Sequence, residues 1–229
     1  MIKPITGHRM THPSSGKTVL LLGSTGLVGS HCLQRLADAP AVGHVRALVR
    51  QPQRKRHDKV EVCVADFNRL EQHVDWFKVD AVVCALGTTI AKAGSEAAFR
   101  QVDFDYPLQV AQLAKSSGAK HFVLVSALGA DARSTVFYNR VKGELEEALA
   151  ALGFESLTLV RPSLLMGERQ EFRLGERLAL VATRLLRPLI PAAWRPVHAD
   201  QVAAALVHAV LQPQTGQTVM ANPQLLQMT

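Results

Sequence analysis

The sequence predicts an α/β protein built on a doubly wound parallel sheet. Three observations predict it. Short apolar, β-branched runs alternate with amphipathic helical patterns along most of the chain. The first run, Thr18–Leu22, enters a helical pattern through three glycines spaced by two residues, Gly23, Gly26 and Gly29. Hydrophobic residues make up 48% of the chain but aromatic residues only 5%, so the core is aliphatic, as suits parallel strands covered on both faces.

Each element follows in order. Thr18–Leu22 is the first strand and Leu27–Leu36 the first helix. Val45–Val49 and Val60–Val64 are the second and third strands, and Leu70–Phe77 is a short helix. Ala81–Ala85 is the fourth strand, ended by Gly87. Glu96–Arg100 and Pro107–Ser116 are helical, Phe122–Val125 is the fifth strand, and Val136–Ala151 is a long helix. Leu157–Val160 is the sixth strand. Beyond Pro162 the rhythm changes: an apolar helix over Glu176–Leu189 is followed by Pro191 and Pro196. Asp200 is expected to cap a helix over Gln201–Leu211, and Thr218–Met220 is a last strand, making about seven. Right-handed crossovers then place a crevice beside strands one and four, at their carboxyl ends. Residues 1–17 read as a flexible extension, and 18–229 as one domain with a small substrate lobe over about 163–197.

Composition narrows the function. The net charge of +7 comes from scattered arginines with no nucleic-acid motif beside them, so attraction for a phosphorylated ligand explains it better than a polyanion does. Cys32, Cys63 and Cys84 have no metal-ligand spacing and sit in apolar context, which points to no metal site and no disulfide frame. Residues 1–17 lack the apolar core of a signal peptide, and no apolar run reaches membrane-spanning length. A cytoplasmic protein without stable membrane insertion is the expectation.

The glycine stretch carries the first chemistry. A buried strand that turns through glycine into a helix holds a dinucleotide pyrophosphate. One glycine makes the tight turn, the next lets backbone approach phosphate, and the third lets helix and strand pack closely. The cradle here is Gly23-Ser24-Thr25-Gly26-Leu27-Val28-Gly29. An NAD-preferring site places a carboxylate at the end of strand two to bind the ribose 2′-hydroxyl. Here that place holds Arg50, whose guanidinium suits a 2′-phosphate, so NADP(H) is the expected cofactor. Asp66 reads equally as an acceptor for the adenine amino group, with Phe67 packed nearby, or as a helix N-cap. Ala85-Leu86-Gly87-Thr88 would run under the cofactor, or simply end its strand. The Arg161-Pro162-Ser163 turn would offer a backbone N–H to the nicotinamide carboxamide, or serve only as a proline-defined strand end.

A second constellation is Ser126, Tyr138 and Lys142. Tyr138 and Lys142 are four residues apart on one helix and share a face. A nearby ammonium favours phenolate and makes the tyrosine a better proton donor and acceptor. Ser126 ends strand five and faces the same crevice, where its hydroxyl would bind a carbonyl or alcohol oxygen. By contrast, His198 and Asp200 read as strand and cap rather than a catalytic dyad, since no nucleophile accompanies them.

With these residues in place, the chain resembles the atypical short-chain dehydrogenases/reductases, a Rossmann-fold superfamily. The glycine pattern matches, and Ser126, Tyr138 and Lys142 match the catalytic trio. Within that group it resembles the Tat-interacting-protein-type oxidoreductases through Val102-Asp103, Lys120-His121-Phe122, the run from Tyr138 to Glu144, Arg161-Pro162, Arg169-Gln170-Glu171 and Gly175-Glu176. The resemblance implies an NADP(H)-dependent oxidoreductase in which Tyr138 protonates the carbonyl oxygen, Lys142 holds the nicotinamide ribose and Ser126 orients the carbonyl. Many members complete a proton relay with an asparagine before strand five; here the comparable place reads Val102-Asp103-Phe104-Asp105. Some members resemble cofactor-bound regulators, which leaves a second reading open. In that reading the protein is an NADPH sensor that meets a partner or a second copy through the helix Leu178–Ile190.

Overall fold

The computed structural model describes residues 16–55, 57–166 and 190–229. The first fifteen residues and the expected helix Glu176–Leu189, with its expected partner face and the Arg169-Gln170-Glu171 motif, lie outside the described residues. Among those described, seven strands form one all-parallel sheet: β1 (Lys17–Leu22), β2 (Val42–Val49), β3 (Val60–Val64), β4 (Ala81–Cys84), β5 (His121–Val125), β6 (Ser156–Arg161) and β9 (Gly216–Ala221). Their spatial order is β3-β2-β1-β4-β5-β6-β9, with β1 paired to β2 on one side and β4 on the other. The order therefore reverses at β1 and β4, where an open α/β sheet binds its ligands. A second ribbon pairs β7 (Leu165–Met166) with β8 (Val197–His198).

Period-two alternation explains why both faces are covered. Val19 and Leu21 project to one face, Leu20 and Leu22 to the other, and all four are fully buried. On the first face they meet α1 (Leu27–Asp38) through Val28, Cys32 and Leu36, together with α6 (Ala199–Leu211) through Val202 and Leu206. On the second they meet α4 (Tyr106–Ser116) through Val110 and Ala114, and α5 (Phe137–Ala151) through Leu145 and Leu149. Burial pushes the Cys32 thiol up to about 12 and the Cys84 thiol up to about 11, so both pack as small apolar groups.

Two local expectations are sharpened. The short helix expected over Leu70–Phe77 is a 3₁₀ segment, Phe67–Phe77, broken where Arg69 and His73 leave helical geometry. The cap of α6 is His198, whose backbone N–H donates to Gln201 Oε1 at 3.2 Å. Asp200 lies inside the first turn instead and accepts a two-pronged contact from Arg35 of α1, at 2.7 and 2.8 Å. That contact ties the two helices of one face together. Gly26 marks the start of α1, and short α2 (Ile90–Ala93) and α3 (Glu96–Arg100) are capped by Thr89 and Ser95.

Leu20 lies fully buried at the centre of the second face. Leu20→Ala should cost about 2–5 kcal/mol of unfolding free energy, measured as a lower urea midpoint at unchanged slope.

Candidate functional site

The site is assembled at the carboxyl edge of the sheet, where β1 runs into the glycine turn. Gly23 adopts φ of +78°, which an L side chain rarely does. A Cβ there would also sit 2.5 Å from the Ala85 carbonyl oxygen. A Cβ on Gly29 would lie 2.0 Å from the Gly23 carbonyl oxygen, so only glycine lets α1 pack against its own entry turn. Among the described residues no side chain caps α1, and its first turn carries no acidic residue. Its first N–H groups and positive dipole end are thus left for an anion. These features fit a dinucleotide pyrophosphate on the backbone of residues 23–29, with Ser24 buried beneath it.

Beside this turn opens a cleft of about 210 Å³ lined by Ser24, Thr25, Ser30, Gln53, Arg54 and the apolar ends of β2 and β3. Hydroxyls and a guanidinium around one opening suit a phosphate ester. Arg50, the residue expected from the sequence, is exposed at the end of β2, and the cationic residue lining the cleft among the described residues is Arg54. Asp66 caps the 3₁₀ segment by accepting from Asn68 N–H at 2.9 Å. Phe67 is buried against Tyr106, ring centroids 5.1 Å apart, so its ring belongs to the core.

At the other end of the crevice stands Lys142. Its side chain is 5% exposed, and Nζ lies 2.8 Å from Oδ1 of Asp103, itself 1% exposed. Burial alone would pull the ammonium down. The Asp103 carboxylate, with a further contribution from the Tyr138 hydroxyl end, more than offsets that and holds Lys142 above the ordinary lysine range. Asp103 sits in a π-helical turn, Gln101–Asp105, and its Oδ2 accepts from the Thr88 backbone N–H at 2.8 Å. Such turns concentrate at functional sites. The Tyr138 ring packs on fully buried Phe99, centroids 5.7 Å apart, which anchors it one helical turn from Lys142. Ser126 follows β5 and is 4% exposed, and its Oγ has no hydrogen-bond partner among the described residues. A buried hydroxyl without a partner is costly unless a ligand completes it.

The turn after β6 is occupied with other contacts. The Arg161 guanidinium forks onto buried Glu146 of α5, which raises its already high pKa. Pro162 has no N–H, and the Ser163 N–H donates to Asn222 Oδ1 at 3.0 Å. The expected carboxamide donor at Ser163 is therefore already used, a correction to the sequence reading. Asn222, fully buried at the start of α7 (Asn222–Leu225), also donates to the carbonyls of Ala192 and Arg195 at 2.9 and 2.8 Å. It clamps two loops through these three bonds, and exposed Leu164 and Trp194 flank that clamp. No sequence motif marks Asn222, because its partners are backbone groups about 30 and 59 residues away. The sequence does show the stretch Val102–Asp105, as a departure from a pattern.

The parallel sheet, the glycine cradle and the crevice at the order reversal define a nicotinamide-dinucleotide-binding Rossmann protein. Sequence comparison agrees: a family described as NAD(P)H-binding matches residues 23–213. The protein named HTATIP2 of Rattus norvegicus is 35% identical over 208 residues, covering 88% of this chain and 84% of that one. A protein of Emericella nidulans named fmp52, mitochondrial, is 36% identical over 171 residues, covering 70% and 72%. Among solved structures, MoeE5 in complex with UDP-glucuronic acid and NAD superposes with TM-score 0.70 at 17% identity, over 90% of this chain and 76% of that one. The PhqB reductase domain of Penicillium fellutanum superposes with TM-score 0.66 at 21% identity, over 91% and 68%. The chain belongs to the NAD(P)H-binding family, in the atypical short-chain dehydrogenase/reductase branch that its motifs resemble. Among the described residues no helix is long and apolar enough to cross a membrane.

The Gly29 contact yields a direct expectation. Gly29→Ala should lower unfolding stability by about 1–3 kcal/mol through overpacking, and should weaken nicotinamide dinucleotide binding measured by calorimetry.

Proposed function

We propose that the protein is an NADP(H)-dependent oxidoreductase that reduces or oxidises a small carbonyl or alcohol. One observation carries the reading. Buried Lys142 is paired with Asp103 one helical turn from Tyr138, while buried Ser126, just after β5, keeps a hydroxyl with no partner among the described residues. Serine, tyrosine and lysine side chains held there supply a hydrogen-bond donor, a proton donor and a cation.

The bound cofactor supplies or accepts hydride. The chain's own residues do the rest. Ser126 Oγ–H donates to the substrate oxygen and holds it near the Tyr138 hydroxyl. In the reducing direction Tyr138 passes its proton to that oxygen as negative charge develops there. Lys142 Nζ donates to the nicotinamide ribose hydroxyls and stabilises the phenolate left behind. The backbone of 23–29 would carry the pyrophosphate, and Ala85–Thr88 would run under the bound cofactor. Arg54, with Thr25 and Ser30, receives the 2′-phosphate, which favours NADP(H) over NAD(H). Arg50 lies at the mouth of the same region and adds long-range attraction for that phosphate. The three buried, free cysteines suit a reducing compartment such as the cytoplasm.

NADPH consumption with a panel of small aldehydes and ketones tests this reading. Tyr138→Phe should lower turnover by about 10²–10⁴-fold while NADPH affinity stays within about threefold. Undiminished turnover in that variant would remove Tyr138 as the acid.

A further inference from the structure

Asp103 is the least expected residue in the site. A carboxylate at 1% side-chain exposure is rare unless it is paired, and here both oxygens are engaged. Oδ2 accepts from the Thr88 backbone N–H, and Oδ1 faces the Lys142 ammonium at 2.8 Å. The 2.8 Å contact at Oδ1 is a buried ion pair that engages one face of the three-donor ammonium. A neutral side chain of the same size would occupy the same volume without supplying the charge.

We propose that Asp103 is a positioning residue: its carboxylate is the fixed counter-ion that keeps Lys142 at its post beside the nicotinamide ribose, and it pins the loop after β4 to the same point. Three elements meet at this one group. Its π-turn presents it from between α3 and α4, Thr88 brings the loop after β4, and Lys142 comes from α5. Gly87 completes the fit, since a Cβ there would stand 3.2 Å from Asp103 Oδ1 and 3.8 Å from Lys142 Nζ. The other ionisable groups acting on Lys142 are Tyr138 on its own helix and Cys84 at the end of β4. Burial pushes the Cys84 thiol up to about 11, so it supplies no negative charge near neutrality. Glu146, one turn along α5, is taken by Arg161. Asp103 is therefore the anion on which Lys142 depends. Without it a fully enclosed ammonium sheds its proton rather than remain charged.

The sign follows from the direction of the shift. Lys142 is held above its ordinary range, so its charged form persists in the wild type until the pH passes the usual lysine value of about 10.4. The inference rests on the assignment of Lys142 as the ribose donor under the proposed function. The test is NADPH affinity, read from the fluorescence of bound NADPH between about pH 6 and pH 10. Asp103→Asn preserves an acceptor for Thr88 and removes the charge. The wild type should bind evenly across this range. Asp103→Asn should lose affinity as pH rises, with its midpoint at least about one pH unit lower and a deficit of about tenfold or more at the alkaline end. The double variant Asp103→Asn with Lys142→Met leaves no charge unpaired; it should fold, bind weakly and show no pH dependence. An Asp103→Asn profile that overlays the wild type at every pH would overturn the inference while leaving the cofactor assignment standing. If Asp103→Asn alone does not fold, the wild type still decides. Wild-type affinity that already declines below about pH 9.5, in a step that Lys142→Met abolishes, would mean that Asp103 does not hold the charge. A wild type that binds no NADPH at any pH would overturn the cofactor assignment and this inference together.

Discussion

Gly29 approaches the entry turn of its own helix so closely that a Cβ would fall 2.0 Å from the Gly23 carbonyl oxygen. That contact sets how far α1 stands from β1, and the rest of the sheet edge is built around it. Gly23 in turn touches the Ala85 carbonyl, so the first turn fixes where the loop after β4 leaves the sheet. The backbone of both segments is thereby exposed to one crevice, at the place where strand order reverses. A side chain at either glycine would separate α1 from the sheet and close the phosphate cradle.

From that edge the site is extended by charge rather than by packing. The loop that Gly23 positions continues through Gly87 to Thr88, whose N–H rests on Asp103, and Asp103 holds Lys142. Paired burial of this kind contributes little net stability, because both ions lose their water. Its value is placement: a buried ammonium held in a fixed position beside the loop after β4. Glu146 and Arg161 repeat the arrangement one turn along α5 and join that helix to β6. On the far side Asn222 uses neutral hydrogen bonds to fix the two loops that carry Leu164 and Trp194.

The fold is legible in the sequence because its signals are local. Alternating apolar runs, three glycines at fixed spacing and helical periodicity place all seven sheet strands to within a few residues. Tyr138 and Lys142 are legible for the same reason, since four residues on a helix share a face. What the sequence hides depends on long-range placement. Arg50 and Arg54 are both basic and close in sequence, and only the path of the chain after β2 decides that Arg54 lines the cleft. Asp200 resembles a cap because the partner that occupies it, Arg35, is 165 residues away. Asn222 and the Ser163 N–H find each other across 59 residues, so nothing local shows that either group is already bonded. The stretch Val102–Asp105 is visible as an exception to a pattern, but the pairing of Asp103 with Lys142 is not.

Under the proposed function the crevice receives a dinucleotide carrying a 2′-phosphate. Calorimetric titration with 2′,5′-ADP and with 5′-ADP isolates that end of the ligand from the nicotinamide chemistry. The account predicts that 2′,5′-ADP binds about tenfold or more tightly, and that Arg54→Ala removes most of the difference. Equal affinity for the two nucleotides in the wild-type protein would contradict it.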